Sequence, residues 1–396
     1  MLLIHKPFIE SVTPGYARLV SHIDEDGVIH TVWAEVDEKY RNYLCDERCD
    51  AFVIGLLHYA MLHNHNIVCE GKMGEELYYQ ITTSLIDALS KSSPRMNKIT
   101  IESEIDSTQL YCEGKVGTGI SCGIDSFEAV ASHSNNKYPN HSITHLCFNN
   151  VGSHGDGECA KTLFDERKKR AEDFCKEYGY ELVEVNSNIM DEFRQMHNLT
   201  HTYSSVFAVY VLQKLFSYYY YASGHTIFDF QLTDNDKNDT SKYDLLSLYC
   251  FSTETLKIYS QGMTLSRLEK TRIVSNYKPS YKYLNVCKVQ SDNCSRCEKC
   301  VRTIMALDAL GVLDNYSEVF DIDYYHNHKY EYLKTLLCEM ARNNQTYIDL
   351  YPYFKNQISI GTRFRALPSV VFCFLSSRIK APKLRKFIKR IINGKK

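Results

Sequence analysis

Apolar and polar positions follow two rhythms along this chain. Near its start, residues 16–23 and 28–36 read as paired strands, with 24–27 as the turn between them. Residues 50–62 are apolar nearly all round, the pattern of a buried helix. Leu77, Ile81, Leu85 and Leu89 recur at helical spacing over 75–90. These segments predict an N-terminal α+β domain over residues 1–108. From 109 to 280 strand-like and helix-like stretches alternate, as in a doubly wound parallel α/β sheet. An apolar run at Val116 gives its first strand, and a helix opens at Phe127. Residues 142–150 and 181–185 read as the second and third strands, with an amphipathic helix over 159–178 between them. A long helix is expected from His197 through Tyr221, then a fourth strand over 226–230 and a polar loop over 233–241. A last strand, a turn at Gly262 and a helix fill 255–274. After a cysteine-rich segment at 281–305, region 306–396 reads as helical, with one helix ended by Gly311 and another over 330–342. It closes in a basic amphipathic tail. There Leu384, Phe387, Ile388, Ile391 and Ile392 form one face, and Lys383, Arg385, Lys386, Lys389 and Arg390 the other.

Composition narrows the function classes. Of 396 residues, 44% are hydrophobic and 24% charged, and the formal net charge is −2. That balance speaks against a general nucleic-acid coat. No apolar run reaches the length of a membrane span. The opening Met1-Leu2-Leu3-Ile4 meets His5-Lys6-Pro7 too soon for a signal peptide. Fifteen cysteines without a secretion signal point to reduced thiols, some of them on metal, and to a cytoplasmic chain. The tail adds peripheral contact with the inner membrane face as an expectation, beside docking on its own protein.

The strand–turn–helix junction at 116–127 carries the chemistry. The first N–H groups of a helix lack internal partners, so such a junction suits an anion. Gly123 permits close approach, Ser121 and Ser126 offer hydroxyls, and Asp125 could hold a phosphate-bound Mg²⁺. Neither the Walker loop nor the dinucleotide fingerprint is present. An ordinary tight turn is the plain alternative. Ser121-Cys122-Gly123-Ile124-Asp125-Ser126 resembles the S-G-G-x-D-S loop of the PP-loop ATP pyrophosphatases, with Cys122 replacing the first glycine. The resemblance implies ATP as cosubstrate, cleaved to AMP and pyrophosphate while a carboxylate or carbonyl oxygen is adenylated. It also implies that Asn149, at the end of the second strand, lies near the adenine and ribose, beside the Gly-rich loop 151–158.

Cys287, Cys294, Cys297 and Cys300 form a C-x6-C-x2-C-x2-C run, which can close a tetrahedral, structural Zn²⁺ site. A [4Fe–4S] cluster is the rival, without its C-x3-C-P continuation. Loop, Lys270-Thr271-Arg272-Ile273-Val274 and cysteine cluster come in the order found in the 7-cyano-7-deazaguanine synthase branch, a resemblance spanning 117–300. Lys270 is then the cation for departing pyrophosphate. Val301-Arg302-Thr303 stands where that branch has a Gly-Phe pair, and the terminal regions are extra. An ATP-dependent epimerase acting on a muramoyl-peptide glutamate has a similar layout. The expected substrate is a small-molecule carboxylate, such as a cell-wall or surface-polysaccharide precursor, destined for amidation, ligation or epimerisation. A nucleotide-sensing module and an RNA-modifying enzyme are the alternatives. His197 and His201, four apart, invite a metal reading, but polar cleft residues fit better. Tyr218 to Tyr221 read as packing around a helix end.

Overall fold

A computed structural model describes residues 1–134, 137–152, 158–233 and 239–378. Most of the Gly-rich loop at 151–158, the middle of the polar loop at 233–241 and the basic tail lie outside the described residues. The chain divides into two compact units, one of residues 1–121 and 128–264, the other of 122–127 and 265–396.

The first unit is built on a mixed α/β, largely parallel sheet of eleven strands. In chain order these are β1 (Leu2–Ile4), β2 (Phe8–Glu10), β3 (Tyr16–Glu25), β4 (Val28–Asp37), β5 (Ile67–Gly74), β6 (Ile101–Asp106), β7 (Lys115–Gly119), β8 (His145–Asn150), β9 (Glu181–Ser187), β10 (Phe216–Ala222) and β11 (Lys257–Gln261). Across the sheet the order is β11-β10-β7-β8-β9-β4-β3-β1-β5-β6, with β2 paired to β3. The five strands β9-β8-β7-β10-β11 are parallel and run 3-2-1-4-5 in their own sequence, the doubly wound order. Chain direction reverses on the two sides of β7, where such sheets hold ligands.

Residues 1–108 do not form a unit of their own. Strand β4 pairs antiparallel with β9, Ala34 opposite Ser187 and Glu35 opposite Asn186, so the N-terminal strands extend the same sheet. The core is likewise continuous: Leu2, Ile4, Phe52 and Leu57 belong to one buried cluster with Phe207, Phe216 and Leu248. The helix Asp50–His63 packs on the helix His197–Val211, with the Phe52 and Phe207 rings 5.8 Å apart. Gly55 permits that approach, since a Cβ there would lie 3.0 Å from Phe207 Cδ2. The turn joining β3 to β4 places Asp26 and Gly27 at φ +51° and +93°, as a tight hairpin requires.

Two element assignments differ from the sequence pattern. The helix expected to run through Tyr221 ends at Val211, and the four tyrosines lie in β10. Aromatic residues favour a pleated, covered surface. Alternate rings fall on opposite faces, Tyr218 and Tyr220 stacking near Tyr259 and Tyr219 meeting Phe216. This strand takes the fourth place. Residues 226–230 instead hold a single 3₁₀ turn, Ile227–Asp229, closed by a Thr226–Asp229 capping box. Phe228 there is 85% exposed, which no central strand would leave. The helix expected over 75–90 is present, with a π-turn at Ile81–Leu85.

A buried carboxylate ties helix Asp50–His63 to the end of β5. Asp50 is 1% exposed and its Oδ1 accepts the Gly74 N–H at 3.0 Å. Burial raises its pKa from the ordinary 3.8 to about 6, against the pull of Gly74 and Arg48. A raised carboxyl pKa means stability that is full below the unfolded value and lost as pH rises through the folded one. Relative to Asp50→Asn, the wild type should lose about 3 kcal/mol across that interval. Urea unfolding of both proteins from pH 4 to pH 7 checks this; parallel pH profiles would refute it.

Candidate anion and metal sites

Both sites are described within the second unit. Here the loop 122–127 meets the helix Arg267–Ser275, which starts on a Ser266–Glu269 capping box after the positive-φ turn at Gly262. Asp125, in the first turn of helix Ile124–Ser132, is held by two cations. Arg267 Nη1 donates to its Oδ2 at 2.8 Å and Lys270 Nζ to its Oδ1 at 3.1 Å. The Lys270 side chain is only 3% exposed. Burial pushes the Asp125 carboxyl up, but the two cations outweigh it and hold the pKa near about 2. Arg302, from helix Glu298–Ala309, is lowered by burial and by the charge of Arg267, with Asp125 opposing. Two cations therefore share one carboxylate, an arrangement with net positive charge to offer an anion.

The loop is fixed at further points. The Cys122 carbonyl accepts the Asn285 N–H at 2.8 Å, and the Phe127 ring lies 6.1 Å from Tyr277. Gly123 O accepts both the Phe127 N–H at 3.0 Å and the Ser126 hydroxyl at 3.1 Å, so Ser126 supports its own turn. Cys122 adopts φ +55°, left-handed for a residue with a Cβ, and is 2% exposed. Such a conformation costs about 1–2 kcal/mol.

The four cysteines converge. Their sulfurs all lie within 4.8 Å of one another, with Cys287–Cys297 at 3.9 Å, Cys294–Cys300 at 4.0 Å and Cys297–Cys300 at 3.5 Å. Four sulfurs about 2.3 Å from one tetrahedral ion stand about 3.8 Å apart, so the set fits a single ion such as zinc. A cubane cluster gives each sulfur its own iron and spreads them wider. Backbone N–H groups of Val289, Gln290 and Cys297 point at the sulfurs of Cys287 and Cys294. Burial raises the Cys297 thiol, but backbone donors and neighbouring thiols bring it down to about 7. Ser295, at φ +57°, makes the knuckle between Cys294 and Cys297. The metal site also reaches the loop: the Cys287 N–H donates to Asn285 Oδ1 at 3.2 Å, and Asn285 is the residue bonded to Cys122.

The first unit holds the remaining sequence candidates. Ser121 follows the end of β7, and Asn149 sits at the end of β8, level with the exit of β7, where Ile120 N–H bonds to Cys147 O at 2.8 Å. The side chain of Asn149 hydrogen-bonds the buried Tyr219 phenol. His197 donates to Val151 O at 3.1 Å and His201 Nδ1 meets the Tyr221 hydroxyl at 2.9 Å, and burial lowers both imidazoles. Among the described residues, only the four cysteines cluster closely enough, three or more together, to hold a metal. A cavity of about 550 Å³ lined by Arg48, Glu76, Tyr79, Asp106 and Glu254 lies at the ends of β5 and β6 and contains no predicted site residue.

Sequence reasoning missed Arg267 and Arg302. Arg267 was available from its spacing, three residues before Lys270 on one helix face. Arg302 stood within the tripeptide that departs from the deazaguanine synthase pattern. No family model matches the chain, and neither does any curated protein or solved structure.

The purified chain should carry one zinc per molecule and no inorganic sulfide, by metal analysis and sulfide assay. Chelation, or Cys300→Ala, should lower the melting temperature; a stoichiometric iron and sulfide content would refute the single-ion site. At Cys122, glycine relieves backbone strain while losing a buried thiol, so Cys122→Gly should stay within about 1 kcal/mol of wild type. Cys122→Val, β-branched at positive φ, should cost about 2 kcal/mol more in chemical denaturation.

Proposed function

We propose that the chain is an ATP-using enzyme of the AMP- and pyrophosphate-forming kind, acting on a small-molecule carboxylate. The observation that carries this reading is the pair Arg267 and Lys270 gripping Asp125, on a loop that follows the central strand of a 3-2-1-4-5 sheet. Polyphosphate needs several cations in fixed places, and an open α/β sheet offers its ligand site where that strand ends. The resemblance to the PP-loop pyrophosphatases adds the S-x-G-x-D-S pattern. Cys122, which replaces its first glycine, takes the left-handed conformation that glycine favours. Lys270 and Arg267 then stabilise charge developing on the departing pyrophosphate, already oriented before reaction. Asp125 acts by holding those cations in place. Each of its oxygens accepts from one of those cations, so it serves first as their counter-ion.

That engagement of Asp125 favours one second reading, a nucleotide-binding module without turnover. Thermal-shift titration with Mg–ATP tests binding. At 100 times the dissociation constant, wild type should gain about 2.7 kcal/mol, and Lys270→Ala should lose most of it. Release of AMP and pyrophosphate on adding a panel of carboxylates then separates enzyme from sensor. No shift at millimolar ATP in folded, metal-replete protein refutes both readings.

A further inference from the structure

The helix Ile360–Arg378 carries a feature that the ATP reading leaves unused. It buries Ala366 and Cys373 along one side. On the opposite side Ile360, Phe364, Leu367, Val371 and Phe374, spaced four and three residues apart in turn, form a continuous apolar stripe with Leu375 beside it. All six are exposed, from Phe374 at 39% to Ile360 at 74%. Single exposed apolar residues need no explanation, but six in one row mark a contact surface.

Charge selects what covers it. After Asp349 the chain has twelve Lys and Arg residues and no acidic residue, within a protein of net charge −2. Arg363 flanks the stripe, and Arg378 ends it, lying 4.1 Å over the Phe374 ring. Pairing this helix with the same helix of a second copy would bring like charges together. An anionic surface with an apolar interior satisfies both features at once. Among the described residues no helix is long and apolar enough to cross a membrane. We propose that the Ile360–Arg378 helix lies flat on an anionic lipid bilayer, its stripe among the acyl chains and its arginines at the headgroups. The inference stands apart from the ATP chemistry and survives its failure.

Co-sedimentation of the full, metal-replete chain with vesicles tests it. The wild type should pellet with equimolar phosphatidylcholine and phosphatidylglycerol, release at high salt, and ignore phosphatidylcholine alone. Combined Phe364→Ser, Leu367→Ser and Val371→Ser should weaken binding roughly tenfold or more while leaving the melting temperature unchanged, since all three side chains are exposed. A wild type that ignores the anionic vesicles, or a triple variant that binds as well as wild type, overturns the proposal. So does a wild-type dimer in sedimentation velocity that the triple variant abolishes, with neither protein binding vesicles.

Discussion

A carboxylate gripped from both sides sets the conditions for the second unit. Lys270 is almost wholly withdrawn from water, and a buried ammonium without a counter-ion is costly. Asp125 supplies that counter-ion and shares it with Arg267, which fixes the opening turn of its helix against helix Arg267–Ser275. Breaking such a pair from one side costs about 3–5 kcal/mol, because the remaining charge stays buried alone.

The four-cysteine cluster, which could hold a metal ion, adjoins this arrangement from the other end. Cys287 and Cys122 are joined through the single residue Asn285, whose N–H meets the loop and whose side chain meets the cysteine backbone. An ion held at the four sulfurs would stiffen the segment that holds the left-handed Cys122 in place. A site closed by four thiolates has no open position for chemistry. Its contribution is to the shape of its neighbour.

Local signals were legible in proportion to how locally they are decided. Four cysteines within fourteen residues predict their own convergence, and the β3–β4 hairpin follows from its turn residues. The parallel order was visible as alternation, but its extent was not. Strand β4 joins β9 through two residue pairs separated by about 150 positions, and nothing in either segment announces the other. The tyrosine run misled because aromatic residues suit a helix end and a covered strand alike. Only its place between β7 and β11 decides the matter. At the anion site, Asp125 and Lys270 were readable as motif residues. Arg302 was not, because its electrostatic link to Arg267 and Asp125 arises from where helix Glu298–Ala309 lies, not from its neighbours in sequence.

The Asp125 contacts also order events in time. Its partners lie 142 and 145 residues later in the chain. During synthesis at roughly 5–20 residues per second, the loop is finished many seconds before either cation exists. Until then Asp125 has only water for company, and Cys122 has no Asn285 to hold its backbone. The strand before the loop can pair with its neighbours early, whereas the loop takes its final form only when the cysteine segment has left the ribosome. A nascent chain can thus carry a formed sheet and an unformed anion site at once, and premature termination would leave it in that state.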